Sequence, residues 1–150
     1  MRLVCVDAGF LIGLYDDRDQ HHKKAKEYFL RLFSSGNNRM VVAWPILYED
    51  VSTKTVKNRT QMLLLEKDWK HLRQHDLLDL LSDVKYREHI VQDSFDELRR
   101  PFNRYRKLSA VDRVIRNILS DRSVRIQAFV TFNSGDFADV CREFNKELVC

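Results

Sequence analysis

The chain is short of the residues that interrupt or staple a fold. Two prolines and four glycines among 150 residues leave no material for a long flexible linker, and no internal repeat or low-complexity tract is present. The three cysteines are odd in number and form no Cys-x-x-Cys pair. Cys5, Cys141 and Cys150 therefore read as two buried small hydrophobes and a tail thiol, in a reducing, cytoplasmic setting. Long apolar runs are missing too. The stretch from Phe10 to Leu14 is far too short to span a bilayer, and one Arg ahead of it, with no small-residue cleavage pattern, does not make a secretory leader.

What remains is the composition of an ordinary globule. Apolar residues make up 44% and charged residues 32%, which excludes a disordered chain and fits one α/β domain over residues 1–150. The net charge is +4. A basic excess around an acidic cluster suits an anionic substrate bridged by a cation.

Strand and helix patterns alternate along the chain. Leu3 to Val6 is a β-branched buried strand, and Met40 to Trp44 is a second. Gln20 to Phe33 carries Ala25, Tyr28, Phe29, Leu32 and Phe33 on one face of an amphipathic helix. Pro45 opens a helix predicted to run from Ile46 to about Lys57. Helices are predicted over Gln61–Gln74, Asp76–Leu81 and Val91–Tyr105, the last interrupted by Pro101. A short strand is predicted within Val84–Ile90. Leu108 to Asp121 is the clearest helix, Val124 to Phe132 alternates as a strand, and Gly135 to Lys146 closes the chain as helix. The pattern predicts a three-layer α/β/α sandwich around a mainly parallel central sheet.

Asp7 ends the first strand, where open α/β sheets present their ligands. Glu49, Asp112 and Asp136 occupy comparable places. Four carboxylates on one edge repel one another unless a hard cation holds them. Each also has an ordinary role open to it. Ser109 and Asp112 make a normal helix start, Glu49 a first-turn acid beside the competing Asp50, Asp136 a cap and Asp7 a turn before Gly9.

Four segments, Val4–Phe29, Trp44–Val51, Leu108–Leu119 and Phe129–Phe137, together resemble the PIN-domain family of metal-dependent ribonucleases, which includes the toxins of toxin–antitoxin pairs. The resemblance runs from Leu3 to Phe137 and is weakest between Thr60 and Arg106. It rests on Asp7 after the first strand, Glu49 after the second, Ser109-x-x-Asp112, and Thr131-x-Asn133-x-x-Asp136-Phe137. It implies a Mg²⁺- or Mn²⁺-dependent endoribonuclease acting on single-stranded RNA, with a cognate antitoxin and a homodimeric state. It also implies that Asp7, Glu49, Asp112 and Asp136 hold the metal and carry catalysis. Hard carboxylate oxygens suit such cations, which activate water and neutralise charge on phosphate. Ser109, Thr131 and Asn133 would hold the carboxylates by hydrogen bonds.

Arg99, Arg100, Arg104 and Arg106, interleaved with Phe102 and Tyr105, suit RNA phosphates and bases, as do Arg113 and Arg116 after Asp112. The same cluster also reads as a solvated charged face. His71 and His75, spaced i, i+4, have the spacing of a zinc pair, but no third ligand accompanies them. A haloacid-dehalogenase-like phosphatase needs a second Asp two residues after the first, and position 9 is Gly. The competing class is a catalytically silent PIN-like module that only binds RNA or protein.

Overall fold

The computed structural model describes residues 1–102 and 106–150. Arg104 and Tyr105, counted above in the basic cluster, lie outside the described residues. Five strands form one all-parallel sheet: β1 (Arg2–Val6), β2 (Asn38–Ala43), β3 (Leu78–Leu81), β4 (Ala128–Val130) and β5 (Glu147–Val149), in the order β3-β2-β1-β4-β5. The described residues also form seven α-helices: α1 (Ala8–Tyr15), α2 (His22–Phe33), α3 (Trp44–Asp50), α4 (Arg59–Gln74), α5 (Arg87–Leu98), α6 (Ala110–Ser120) and α7 (Ala138–Glu143). The α1 helix packs on α2, α3 and α4, while α6 packs on α5, α7 and α3. The result is the three-layer α/β/α arrangement that the alternating pattern predicts.

Strand order reverses at β1. The chain grows outward through β2 and β3, then crosses to the other side of β1 for β4 and β5. Such a reversal opens a crevice at the carboxyl ends of the two central strands. Asp7 follows β1, and Thr131 follows β4.

The helices follow their sequence patterns. Val114, Ile115, Ile118 and Leu119 form the buried face of α6. Phe129 of β4 meets Phe137 edge to face at 4.8 Å between ring centres, in the core beneath the carboxyl ends of the strands. Gly13 lets α1 and α2 approach closely, since a Cβ there would stand 3.3 Å from that of Ala25 and 3.4 Å from those of His21 and a ring carbon of Phe132.

Several element boundaries differ from expectation. Residues 78–81, predicted as helix, form β3, because Leu78 to Leu81 pair in register with Met40 to Ala43. Asp76, at φ 55°, turns the chain out of α4 just before it. The strand predicted within Val84–Ile90 is a turn followed by the start of α5. The α5 helix ends at Leu98, ahead of Pro101, rather than continuing to Tyr105. The α3 helix ends at Asp50, and a separate 3₁₀ turn covers Thr55–Lys57. Of the long alternating run from Val124, only Ala128–Val130 pairs as strand, since Arg125 adopts φ 55°. The closing helix predicted over Gly135–Lys146 is a 3₁₀ turn at Ser134–Asp136 followed by α7, and Asn145 at φ 53° then redirects the chain into β5, a strand not expected from the sequence.

No helix among the described residues is long and apolar enough to cross a membrane.

Candidate active site

Two of the carboxylates, Asp7 and Asp112, are placed by helix capping and then brought together by the sheet. Asp7 is the N-cap of α1, its Oδ1 accepting the Phe10 N–H at 2.7 Å. Asp112 and Ser109 form a reciprocal capping box at the start of α6. The Asp112 N–H donates to Ser109 Oγ at 3.0 Å, and the Ser109 N–H donates to Asp112 Oδ2 at 3.1 Å. Capping therefore leaves the remaining carboxylate oxygen of each aspartate to other duties. Glu49 is exposed in the last turn of α3, not in the first turn expected for it, because the helix opens at Trp44 and ends at Asp50.

These residues surround one cavity of about 290 Å³, lined by Asp7, Gly9, Glu49, Ser109, Asp112 and Asn133 among others. The carboxylates influence one another. Burial pushes the Asp7 carboxyl up to about 6, the Asp112 and Glu49 charges push the same way, and the bonds from Thr131 and Phe10 oppose them. Glu49 is raised too, first by burial and then by the Asp112 charge, with Lys54 opposing. Three acids thus face one space, and the charge of Asp112 disfavours the ionised forms of both Asp7 and Glu49.

Asp136 does not line this cavity. Its carboxylate accepts a bond from the Asn133 side chain, and Asn133 is the residue that reaches the cavity wall. The Asn133 N–H donates to Thr131 Oγ1 at 2.9 Å, and the Thr131 hydroxyl donates to Asp7 Oδ2. Asp50, the neighbour that competed with Glu49, is fully buried, and its Oδ1 accepts from the Thr55 hydroxyl at 2.8 Å. The two adjacent acids thus point to different places, Glu49 to the cavity and Asp50 to the interior.

Among the described residues, no three His, Cys, Asp or Glu side chains stand together as a ready ligand set. The donors nevertheless fit a Mg²⁺-type ion, which retains several waters and needs only one or two protein carboxylates. His71 in the last turn of α4 and His75, which caps that helix, have ring centres 4.6 Å apart, remote in the chain from every carboxylate of the cavity.

The five described arginines of the basic cluster, Arg99, Arg100, Arg106, Arg113 and Arg116, lie outside the cavity lining. Arg99 pairs with Asp96 at 3.0 Å and Arg100 with Glu97 at 3.5 Å. Arg106 and Arg116 both pair with Asp139, at 2.9 and 2.8 Å. Arg113 is buried beside them, around a second hollow of about 280 Å³ between α5 and α6. Asp139 was missed in the sequence, where it is one more acid on a short helix. Its role depends on Arg116, 23 residues away.

An all-parallel five-stranded sheet of this order with helices on both faces is a PIN-like fold. Two solved structures share it over nearly the whole chain. One is VapC20 of Mycobacterium tuberculosis, a toxin that cleaves the sarcin–ricin loop, with a TM-score of 0.60 and 18% identity over 91% of this chain and 94% of that one. The other is VapBC2 of Rickettsia felis, bound to a DNA fragment from its promoter, with a TM-score of 0.57 and 13% identity over 97% and 96%. No protein-family model matches the chain, and no curated protein matches it at a significant level.

Proposed function

We propose that this protein is a metal-dependent endoribonuclease that hydrolyses phosphodiester bonds in single-stranded RNA, as the toxin of a toxin–antitoxin pair. The observation that carries the reading is the convergence of Asp7, Glu49 and Asp112 on one cavity at the reversal point of the sheet. Asp7 and Asp112 would hold Mg²⁺ or Mn²⁺, with Glu49 beside them and Asp136 acting through Asn133. When bound, the cation lowers the pKa of coordinated water and offsets charge developing on the phosphate. Glu49, exposed and with its pKa raised, is suited to orient the attacking water and accept its proton. Thr131 and Ser109 fix the orientation of Asp7 and Asp112. The likeness to VapC20 and VapBC2 supports the toxin reading. An antitoxin and a second copy of the chain would cover apolar surface such as Trp44 and Tyr48 beside a groove of about 500 Å³, and Phe95 and Leu98 on α5.

The deciding experiment combines Asp7→Asn and Asp112→Asn with chelation. Each substitution should abolish cleavage of single-stranded RNA, and EDTA should do the same to the wild type. Melting temperature should hold or rise, because one of several mutually repelling charges is gone. Cleavage that persists in both variants, or in excess EDTA, would overturn the reading. Divalent-ion affinity without any cleavage in the wild type would favour a module that only binds RNA or protein.

A further inference from the structure

Arg116 lies one turn beyond Asp112 on α6, and its guanidinium makes three hydrogen bonds. Nη1 donates to the backbone carbonyl of Asp136 and, at 2.8 Å, to Asp139 Oδ1. Nη2 donates to Asp139 Oδ2, also at 2.8 Å, so the pair is a bidentate fork. Arg106 Nη1 reaches the same Asp139 oxygen at 2.9 Å, from the segment that leads to Ser109. Inward from the fork the bonds continue without a gap. Asp136 holds the Asn133 side chain, the Asn133 N–H reaches Thr131, and Thr131 reaches Asp7.

We propose that Arg116 and Asp139 are positioning residues of the carboxylate site, locking the segment 133–136 onto α6 so that Asn133 and the Thr131–Asp7 pair stand in a fixed place opposite Asp112. The proposal rests on the nuclease reading for its effect on catalysis. Three features carry it. Arg116 is the only described side chain to grip the backbone of the 133–136 segment from α6. The planar fork fixes orientation as well as distance, which a lysine ammonium does not. The pair is also partly exposed, with 22% of the Arg116 side chain and 41% of the Asp139 side chain accessible. Exposed ion pairs contribute little to global stability, and a bidentate one somewhat more, but a single partly exposed fork is a small part of the whole, so breaking it should leave the fold standing while freeing the segment. The same bonds account for two cations of the basic cluster. Arg106 and Arg116 are committed to Asp139 and belong to the scaffold of the site.

The test compares Arg116→Gln, Asp139→Asn and Arg116→Lys in the purified protein. Cleavage of single-stranded RNA with Mg²⁺ supplies kcat and KM. Amide hydrogen exchange of residues 133–137 without RNA or metal reports the segment directly. In Arg116→Gln and Asp139→Asn, kcat should fall about tenfold or more, as is usual when partners that orient ligands are removed. KM should stay within about twofold, and exchange at 133–137 should quicken while the exchange of β1 and β2 is unchanged. Arg116→Lys should recover part of kcat, since an ammonium still reaches Asp139. Unchanged kcat in both folded variants of an active enzyme overturns the proposal, as does a raised KM at constant kcat, which would assign Arg116 to RNA phosphates. Should the wild type cleave no RNA, the nuclease reading fails, and exchange alone decides whether the fork holds the segment. Unaltered exchange then overturns it. If one variant does not fold, the other decides.

Discussion

Thr131, directly after β4, donates its hydroxyl proton to the Asp7 carboxylate directly after β1, across 124 residues of chain. Thr131 is completely buried, and its hydroxyl also accepts the Asn133 N–H at 2.9 Å. One hydroxyl therefore fixes a carboxylate and the segment beyond it. The bond pulls the Asp7 pKa down against the burial that pushes it up to about 6. Thr131→Val keeps the shape and removes the donor. Asp7 should then become harder to ionise, and the acidic limb of the pH–rate profile for RNA cleavage should move to higher pH. Activity at neutral pH should fall by about tenfold or more. Raising Mg²⁺ should shift the limb back toward lower pH, because a cation favours the carboxylate. A profile identical to the wild type would show that the bond has no part in catalysis.

Stability in the metal-free protein should depend on pH in an unusual direction. Burial holds the carboxyls of both Asp7 and Asp50 near 6 in the fold, against about 4 in an unfolded chain. Between those values the folded state binds more protons than the unfolded one, so stability falls as pH rises through the window. Asp121, held low by Lys85, and Asp139, held low by Arg116, contribute stability already present above the unfolded pKa. They leave the window unaffected. Thermal melts from about pH 4.5 to about pH 6.5 should show Tm falling, with a shallower fall in Asp7→Asn and in Asp50→Asn. An equally steep fall in both variants would remove these two groups as its cause.

Gly13 tests the packing that holds α1 in place. A helix interior ordinarily gains from replacing Gly, but here a Cβ would stand 3.3 to 3.4 Å from Ala25, His21 and Phe132. Gly13→Val adds two methyl groups to that contact and should destabilise the protein by about 1–3 kcal/mol. Urea melts supply the number. A gain in stability would mean that α2 moves away freely.

The remaining basic residues carry a prediction about RNA affinity. Among the described residues Arg99, at the end of α5, pairs only with the exposed Asp96, and Arg100 pairs with Glu97 one turn back. If Arg99, Arg100 and Arg104 each meet a phosphate, replacing all three by Gln should lower the slope of log K against log salt by about 2, at about 0.7 per contact. Cleavage at saturating RNA should survive. Wild-type affinity and slope would make the patch a solvated face, and loss of a protein partner instead would make it an interface.

Local pattern was enough for much of this molecule. The valines of β1 and β2, the apolar face of α6, Pro45 at the start of α3 and the acid following β1 are all legible, because a helix or a buried strand imposes its period on adjacent residues. The candidate carboxylates were legible for the same reason, since capping and strand-end positions are local. Tertiary structure decided the rest. Leu78–Leu81 became strand through pairing with β2, and Glu147–Val149 through pairing with β4. In segments of four and three residues, no period is long enough to read. Burial separated Glu49 from Asp50, two adjacent acids that a sequence cannot tell apart. The fork of Arg116 with Asp139, and the bond from Thr131 to Asp7, join residues 23 and 124 positions apart. Such contacts depend on which strands and helices become neighbours, and that is settled by the packing of the whole sheet.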